Sequence, residues 1–276
     1  MAQIKSFIRW AGGKSWLVSY VRKLLDGVDF NNYFEPFMGG ASIFFAINVP
    51  IKSFLSDVNE DLVNTFSAIR DDHNKVIDYL KEYKSDEDSY YQIRKNEPTE
   101  RYERAARFLY LNANSYNGLY RVNKNGKYNV PYGRRNVSIN FERIDEVSKR
   151  LKGVEISCQD FEACKGKISN GDLVFLDPPY TVSKDSNGFI GYNSTLFSLD
   201  DQYRLGSFID YIEKQGAYFI LTNAAHETIL EIFKDKGQMI TLERNSLIGG
   251  KKSYRGKVQE YIFTNIPERS PEDVKN

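Results

Sequence analysis

Cysteine and histidine are nearly missing from this chain of 276 residues, which has two of each. Cys158 and Cys164 do not form a C-x-x-C pair, and His73 and His226 lie far from both in sequence. Neither a disulfide framework nor a zinc ligand set can be assembled from them. A metal-free protein of a reducing, cytoplasmic compartment is the expectation. No apolar run approaches the roughly 20 residues that cross a bilayer, and Met1 to Tyr20 has no apolar stretch ahead of a cleavage site. A membrane partner and a secretory leader are therefore not expected. An excess of one charge is missing too, since 38 basic residues meet 37 acidic ones for a net +1. Overall charge thus gives no pull towards phosphates. Hydrophobic residues at 41% and charged residues at 27% exclude a disordered or collagen-like chain. The length suits one large domain, or one domain carrying a sizeable insert.

Charge is sorted locally. From Leu55 to Tyr90 there are ten acids and four bases, whereas Ala105 to Arg135 holds six bases (Arg107, Arg121, Lys124, Lys127, Arg134, Arg135) and no acid. A second acid-free stretch, Arg244 to Gln259, holds Arg244, Lys251, Lys252, Arg255 and Lys257. One such run reads as a solvated loop; two runs, both rich in Asn, Gly and Tyr, point to a phosphate-bearing partner.

Short β-branched and aromatic runs alternate with helical patterns. Strands are expected at Asn32–Phe37, Ser53–Asp57, Val154–Cys158, Asp172–Asp177, Ala217–Thr222, Met239–Leu242 and Val258–Thr264. Helices are expected at Ser15–Leu25, Ala41–Asn48, Ile139–Leu151, Leu199–Gln215 and Glu227–Asp235. This rhythm predicts an α/β fold of seven strands, mostly parallel, with helices on both faces. It breaks once, at residues 58–142. There, helical patterns at Val58–Ile69, Lys75–Tyr83, Tyr90–Lys95 and Glu100–Asn112 precede a turn-rich stretch in which Asn125-Gly126 signals a two-residue hairpin turn. The division expected is a core of residues 1–57 and 143–276, with residues 58–142 as a mainly helical insert carrying a β-hairpin.

Asp177-Pro178-Pro179-Tyr180 ends the most apolar strand, and ligands of open α/β sheets bind outside the carboxyl ends of strands. The two prolines remove backbone donors and fix φ, leaving carbonyl acceptors beside a carboxylate and an aromatic plate. That surface suits an aminated heteroaromatic ring. Its exocyclic amine is a poor nucleophile because the lone pair is delocalised into the ring. Acceptors on both amine hydrogens, Asp177 and the Pro178 carbonyl, pull the nitrogen towards tetrahedral geometry and free the lone pair. The competing reading is an ordinary Pro-Pro turn with an incidental Asp.

Three other segments join it. In Glu35-Pro36-Phe37-Met38-Gly39-Gly40, small residues admit a ligand close to the backbone, and Asp57 ends the next strand where an acid can bond a ribose diol. No G-x-G-x-x-G is present, so a nucleoside is supported and a diphosphate is not. Asp160 and Phe161 can bond and stack on the nucleoside's base. Gly13-Lys14-Ser15 invites a P-loop reading, but the required glycine five residues earlier is Ile8. Trp10 and Lys14 read instead as an aromatic wall and a cation for a carboxylate-bearing ligand. Finally, Ser115 to Arg135 interleaves aromatics with Arg, Lys and Asn, as a two-stranded ribbon in a major groove would. In it, Arg121 and Asn117 have the donor geometry to read guanine and adenine.

Together these segments resemble the Dam-type DNA adenine-N6 methyltransferases, including the GATC modification enzymes of bacterial restriction systems. The resemblance rests on Trp10-Ala-Gly-Gly-Lys14, Glu35-Pro-Phe-Met-Gly-Gly40, Asp57, Tyr116-Asn-Gly-Leu-Tyr-Arg-Val-Asn123, Asn129-Val-Pro-Tyr-Gly133 and Asp177-Pro-Pro-Tyr180. Their order looks like the α arrangement of amino-methyltransferases. It implies a Rossmann-like sheet, S-adenosylmethionine as donor with S-adenosylhomocysteine as product, no metal, and double-stranded DNA as partner. By the same resemblance Trp10, Lys14, Asp57 and Asp177 contact the donor, with Glu35, Phe37, Gly39, Asp160 and Phe161 around it. Asp177, Pro178, Pro179 and Tyr180 hold the extruded adenine. Arg121 matches the base-reading arginine with Leu119 and Pro131 beside it, Tyr116 the intercalating position, and Arg9 a contact to the outer guanine. Asn117, Asn123, Lys124, Lys127, Arg134 and Arg135 complete the DNA surface. Phe189, Tyr192 and Phe197 resemble the family's loop after the catalytic motif. Rival readings are an RNA or glutamine-amide methyltransferase and a DNA-binding module without catalysis.

Overall fold

The computed structural model describes residues 4–50, 52–134, 137–181, 197–245 and 257–267. The strands are β1 (Tyr33–Glu35), β2 (Ser53–Asp57), β3 (Glu155–Cys158), β4 (Leu173–Leu176), β5 (Tyr218–Ala224), β6 (Gln238–Asn245) and β7 (Lys257–Thr264), in the sheet order β3-β2-β1-β4-β5-β7-β6. The pairs β1–β4, β2–β3 and β4–β5 are parallel, while β7 runs antiparallel between β5 and β6. All seven expected strands are found, Ser53–Asp57 with both ends as expected and the others with ends that differ by at most three residues. β4 is buried at every position, which is why its sequence is continuously apolar instead of alternating.

Among the described residues the α-helices are α1 (Val18–Leu24), α2 (Ser42–Ala46), α3 (Glu60–Glu82), α4 (Glu87–Lys95), α5 (Arg101–Asn114), α6 (Phe141–Leu151), α7 (Leu199–Lys214) and α8 (Glu227–Phe233). Several begin at a side chain that accepts from their own first turn. Asn59, Asp86, Glu100, Asn140 and Ser198 do this for α3 to α7, and Asp201 returns the bond at α7 to complete a capping box. Two of the expected helices are joined in α3. The break between them survives as a kink at Asp72 (φ −157°, ψ 83°), whose carboxylate accepts from the Lys75 amide and so caps the second half. The expected two-residue turn at Asn125-Gly126 is corrected. The amide of Asn123 donates to the Lys127 carbonyl and that of Gly126 to the Asn123 carbonyl, which makes a three-residue loop with Gly126 at φ 75°. A two-residue type I′ turn needs positive φ at Asn125 as well, and Asn125 does not have it. The ribbon around that loop is held by the isolated bridges Val122↔Tyr128 and Ser115↔Tyr132, not by extended strands.

The chain forms two compact units. The first is Met1–Val18 with Met38–Asp160. In it α3 packs on α5, and Leu62, Phe66 and Ile69 of α3 and Ala105 and Ala106 of α5 are all fully buried. Arg107 donates to the Ile93 and Arg94 carbonyls and closes the last turn of α4. Tyr90 is wholly buried with its hydroxyl on the Val130 carbonyl, which pins the turn-rich stretch to the helices. The second unit is Ser19–Phe37 with Phe161–Asn276. Its core is aromatic, with Phe175, Phe208, Phe219, Phe233 and Phe263 all buried. Asp172, before β4, takes the amides of Asn32 and Ser169 and the Asn32 side chain, so this acid fixes a turn.

Candidate active site and nucleic-acid interface

In the second unit the half-buried Asp177 follows the last residue of β4. Its carboxylate accepts from the Thr222 hydroxyl of β5 at 2.6 Å. Two prolines later the Tyr180 hydroxyl donates to Glu260 Oε2 of β7 at 2.5 Å, and the other Glu260 oxygen accepts from Arg244 Nε of β6. Thr222 faces Ile262, and Leu242 faces Glu260. Cross-strand partners point to one side and alternate residues share a face, so Thr222, Glu260 and Arg244 all lie on one face of the sheet. Burial, then the Asp177 and Glu260 carboxylates, push the Tyr180 phenol well above its ordinary range. Thr181 continues the chain of bonds. Its hydroxyl donates to the Phe197 carbonyl and accepts from Gln202, which in turn accepts from the buried Asn223. Phe37 stacks on Phe161 at 5.2 Å, and Phe197 meets both rings. Phe161 is buried, with Phe208 and the Arg204 guanidinium also against it. Glu35 is buried and accepts from the Tyr33 hydroxyl.

In the first unit β2 ends on Asp57. The amides of Gly39 and Asn59 donate to its two oxygens at 3.1 and 3.0 Å. Burial nonetheless dominates and raises its carboxyl above the ordinary value of 3.8. Gly39 has φ 44°, and a Cβ there would lie 2.7 Å from Trp10 Cδ1, so only glycine lets the indole lie against this turn. Tyr120 and Phe108 flank the indole at 5.5 and 6.3 Å. Lys14 is buried, with its ammonium on the Gly12 carbonyl. Asp160 lies at the end of this unit, after β3.

The turn-rich stretch presents its polar residues outward. Tyr116, Asn117, Arg121, Asn123, Lys124, Lys127, Pro131 and Arg134 are exposed, and Leu119 is half-buried. Tyr116 is 55% exposed, which is unusual for a tyrosine and suits a ring that enters a base stack. Arg121 Nε donates to Asn129 at 2.7 Å, and Lys127 pairs with Glu97. Arg9, also exposed, joins this surface through Asn112. That buried amide accepts from the Arg9 amide at 2.9 Å and donates to the carbonyls of Arg9 and Gly118. A Cβ on Gly118 would lie 2.4 Å from Arg9 Cδ, so the arginine stem lies directly on the turn that carries Asn117. Arg135, Phe189, Tyr192, Lys251, Lys252 and Arg255 lie outside the described residues.

The model of the D12 class N6 adenine-specific DNA methyltransferases matches residues 10–247. The chain belongs to that family. It is 32% identical over 274 residues to the type II methyltransferase M1.LlaDCHI of Lactococcus lactis subsp. cremoris, covering 95% of each protein. It is 35% identical over 247 residues to the type II methyltransferase M.MjaIII of Methanocaldococcus jannaschii, covering 80% of this chain and 85% of that one. It is 31% identical over 270 residues to the DNA adenine methylase of Serratia marcescens, covering 95% and 98%. This protein is thus a DNA adenine-N6 methyltransferase with a seven-stranded, mostly parallel Rossmann-like sheet.

Thr222, Glu260 and Asn112 escaped the sequence reading, and Arg244, read as part of a basic stretch facing a phosphate-bearing partner, instead pairs with the buried Glu260. One signal was available. In Val258-Gln-Glu-Tyr-Ile-Phe-Thr264 a carboxylate interrupts a run destined for the core, which requires a partner but does not name it. Among the described residues no group of His, Cys, Asp and Glu could hold a metal ion, and no helix is long and apolar enough to cross a membrane.

Proposed function

We propose that this methyltransferase transfers a methyl group from S-adenosylmethionine to N6 of an adenine extruded from duplex DNA, within the sequence GATC. The observation that carries the reading is Asp177, fixed by Thr222 at the carboxyl end of β4 and followed by two prolines and a tyrosine anchored at its hydroxyl. The donor, when bound, supplies a methyl carbon on a positively charged sulfur. The residues present fit it. Asp57 ends β2, held by the backbone amides of Gly39, Asn59 and Val58, where a carboxylate can accept from a ribose diol. Trp10, Lys14, Glu35, Phe37, Asp160 and Phe161 would complete the donor's surroundings.

Asp177 and the Pro178 carbonyl would accept from the two N6 hydrogens, and Tyr180 would stack on the ring. As the N–C bond forms, the S–C bond breaks with its electron pair left on sulfur, and N6 releases one proton to solvent. Asp177 orients the amine in this scheme and is not a strong base. Extruding a base costs a few kcal/mol. Phosphate contacts by Lys124, Lys127, Arg134 and Arg135, with Tyr116 filling the gap, would offset that cost. Arg121, Arg9, Asn117, Leu119, Asn123 and Pro131 would read or line the base edges, making residues 58–142 the recognition insert. Arg121 supports this, because its Nε bond to Asn129 leaves the guanidinium end for a guanine.

The test is expression in a host without adenine methylation. Host DNA is then cut with a methyl-sensitive and a methyl-insensitive GATC endonuclease. Protection from the sensitive enzyme alone is expected. Full cutting by both, with N6-methyladenine present on nucleoside analysis, would overturn the GATC assignment. Absence of N6-methyladenine would overturn the assigned chemistry.

A further inference from the structure

We propose that Glu260 is a positioning residue for catalysis, which acts by holding the Tyr180 ring in the orientation that receives the target adenine. The inference rests on the reading of Tyr180 as the stacking platform.

Glu260 is 1% exposed, on a strand whose later residues Ile262, Phe263 and Thr264 are fully buried. Removing a carboxylate from water costs several kcal/mol even after partners are found, and an apolar residue of similar volume would often give a fold at least as stable. Fold stability alone therefore gives no reason for a carboxylate here. Two of its contacts supply one. One oxygen takes the Tyr180 hydroxyl at 2.5 Å, and the other takes Arg244, two residues along β6 from the position facing Glu260. Arg244 takes one carboxylate oxygen and Tyr180 the other, so the carboxylate is held at both oxygens.

Tyrosine suits this use because it has only two side-chain torsions. At its base, Tyr180 leaves a backbone stiffened by Pro178 and Pro179, whose φ angles are fixed by their rings. At its tip the hydroxyl is tied to Glu260. A ring fixed at both ends keeps its plane before any substrate arrives. Ordering is then complete before the reaction, where loose placement of a platform can cost up to a hundredfold in rate. Phenylalanine would stack equally well but has no tip to tie. The motif's tyrosine is thus explained by a partner on a strand 80 positions later in the sequence.

The experiment uses the full chain and measures single-turnover methylation of a duplex with one target site, together with the dissociation constants of donor and DNA. Tyr180→Phe and Glu260→Ala are each expected to slow methyl transfer by about tenfold to a hundredfold, the range of a lost charge-assisted bond. Donor and DNA affinities should stay within about twofold of the unaltered protein. The double variant should be no slower than the slower single one, because both remove the same bond. Glu260→Gln, which keeps an acceptor for the hydroxyl, should recover part of the rate. Should Glu260→Ala fail to fold, Tyr180→Phe tests the same bond with the Glu260–Arg244 pair intact. A Tyr180→Phe rate within twofold of wild type, or losses that multiply in the double variant, would overturn the proposal. Tyr180→Ala separates this from the underlying reading. If it alone abolishes transfer, the platform stands and the tether fails; if it too is active, the platform itself is wrong.

Discussion

Replacing Thr222 with valine isolates the support beneath the Asp177 carboxylate. Thr222 is fully enclosed in β5, and its hydroxyl donates to Asp177 at 2.6 Å. Valine has nearly the same shape, so no cavity forms and the strand keeps its packing. What is lost is one hydrogen bond to a charged acceptor, worth about 1.5–3 kcal/mol. If Asp177 must be oriented for the amine to be activated, that loss falls on the transition state. At about 1.4 kcal/mol per tenfold it predicts a single-turnover rate lower by about tenfold to a hundredfold. Donor affinity should barely change. A drop of a few degrees in Tm is expected, the scale of 1–2 kcal/mol in a chain of this size. The assay is transfer of labelled methyl to a duplex oligonucleotide with enzyme in excess, beside a thermal melt of the same preparation. A rate within twofold of wild type, with the Tm lowered, would show that the bond serves only the sheet and would refute the argument.

Asp177→Ala is expected to remove nearly all turnover while the protein melts normally, and more than a tenth of the wild-type rate would sink its assigned role. Arg121→Ala should relax sequence preference by about 1–3 kcal/mol, read as the ratio of kcat/KM on GATC and on sites altered at one base. A loss that is uniform across sequences would make Arg121 a phosphate contact instead. Asp57 gives a prediction with two opposite signs. Its carboxyl is raised above 3.8 by burial, so the charged form is the disfavoured one in the folded protein. Stability without donor should decline as pH rises from the ordinary carboxylate value through the raised one. Donor affinity, which needs the charged form to accept from hydroxyls, should rise over the same interval. Asp57→Asn should weaken donor binding by tenfold or more, measured calorimetrically, and should not raise the Tm, because its NH2 would face an amide that now donates to the carboxylate. A variant unimpaired in donor binding would contradict the assignment of Asp57 to the donor.

The outlines of the fold were legible because they rest on local periodicity. An uninterrupted apolar run such as Leu173–Leu176 can only be a strand covered on both faces, and the residue that follows it then lies at the carboxyl edge where ligands bind. Asp177 and Asp57 could be found this way, and so could the basic turn-rich stretch. The turn at Asn123–Lys127 was misjudged in detail because its backbone bonds settle its length, and Asn125-Gly126 serves both short loop types. The break inside α3 was visible, but whether it ended the helix or bent it depended on the packing of both halves against α5.

The chain of amino acids, taken alone, determined that a carboxylate, two prolines and a tyrosine stand together after one apolar strand, because they are consecutive in sequence. Only tertiary structure decided what holds them. Thr222 reaches Asp177 across 45 positions, Glu260 reaches Tyr180 across 80, and Asn112 clamps Arg9 across 103. A polar residue in an apolar strand announces that it has a partner. Which partner follows from strand order and register, and these are set by the packing of the whole sheet, not by any segment read by itself.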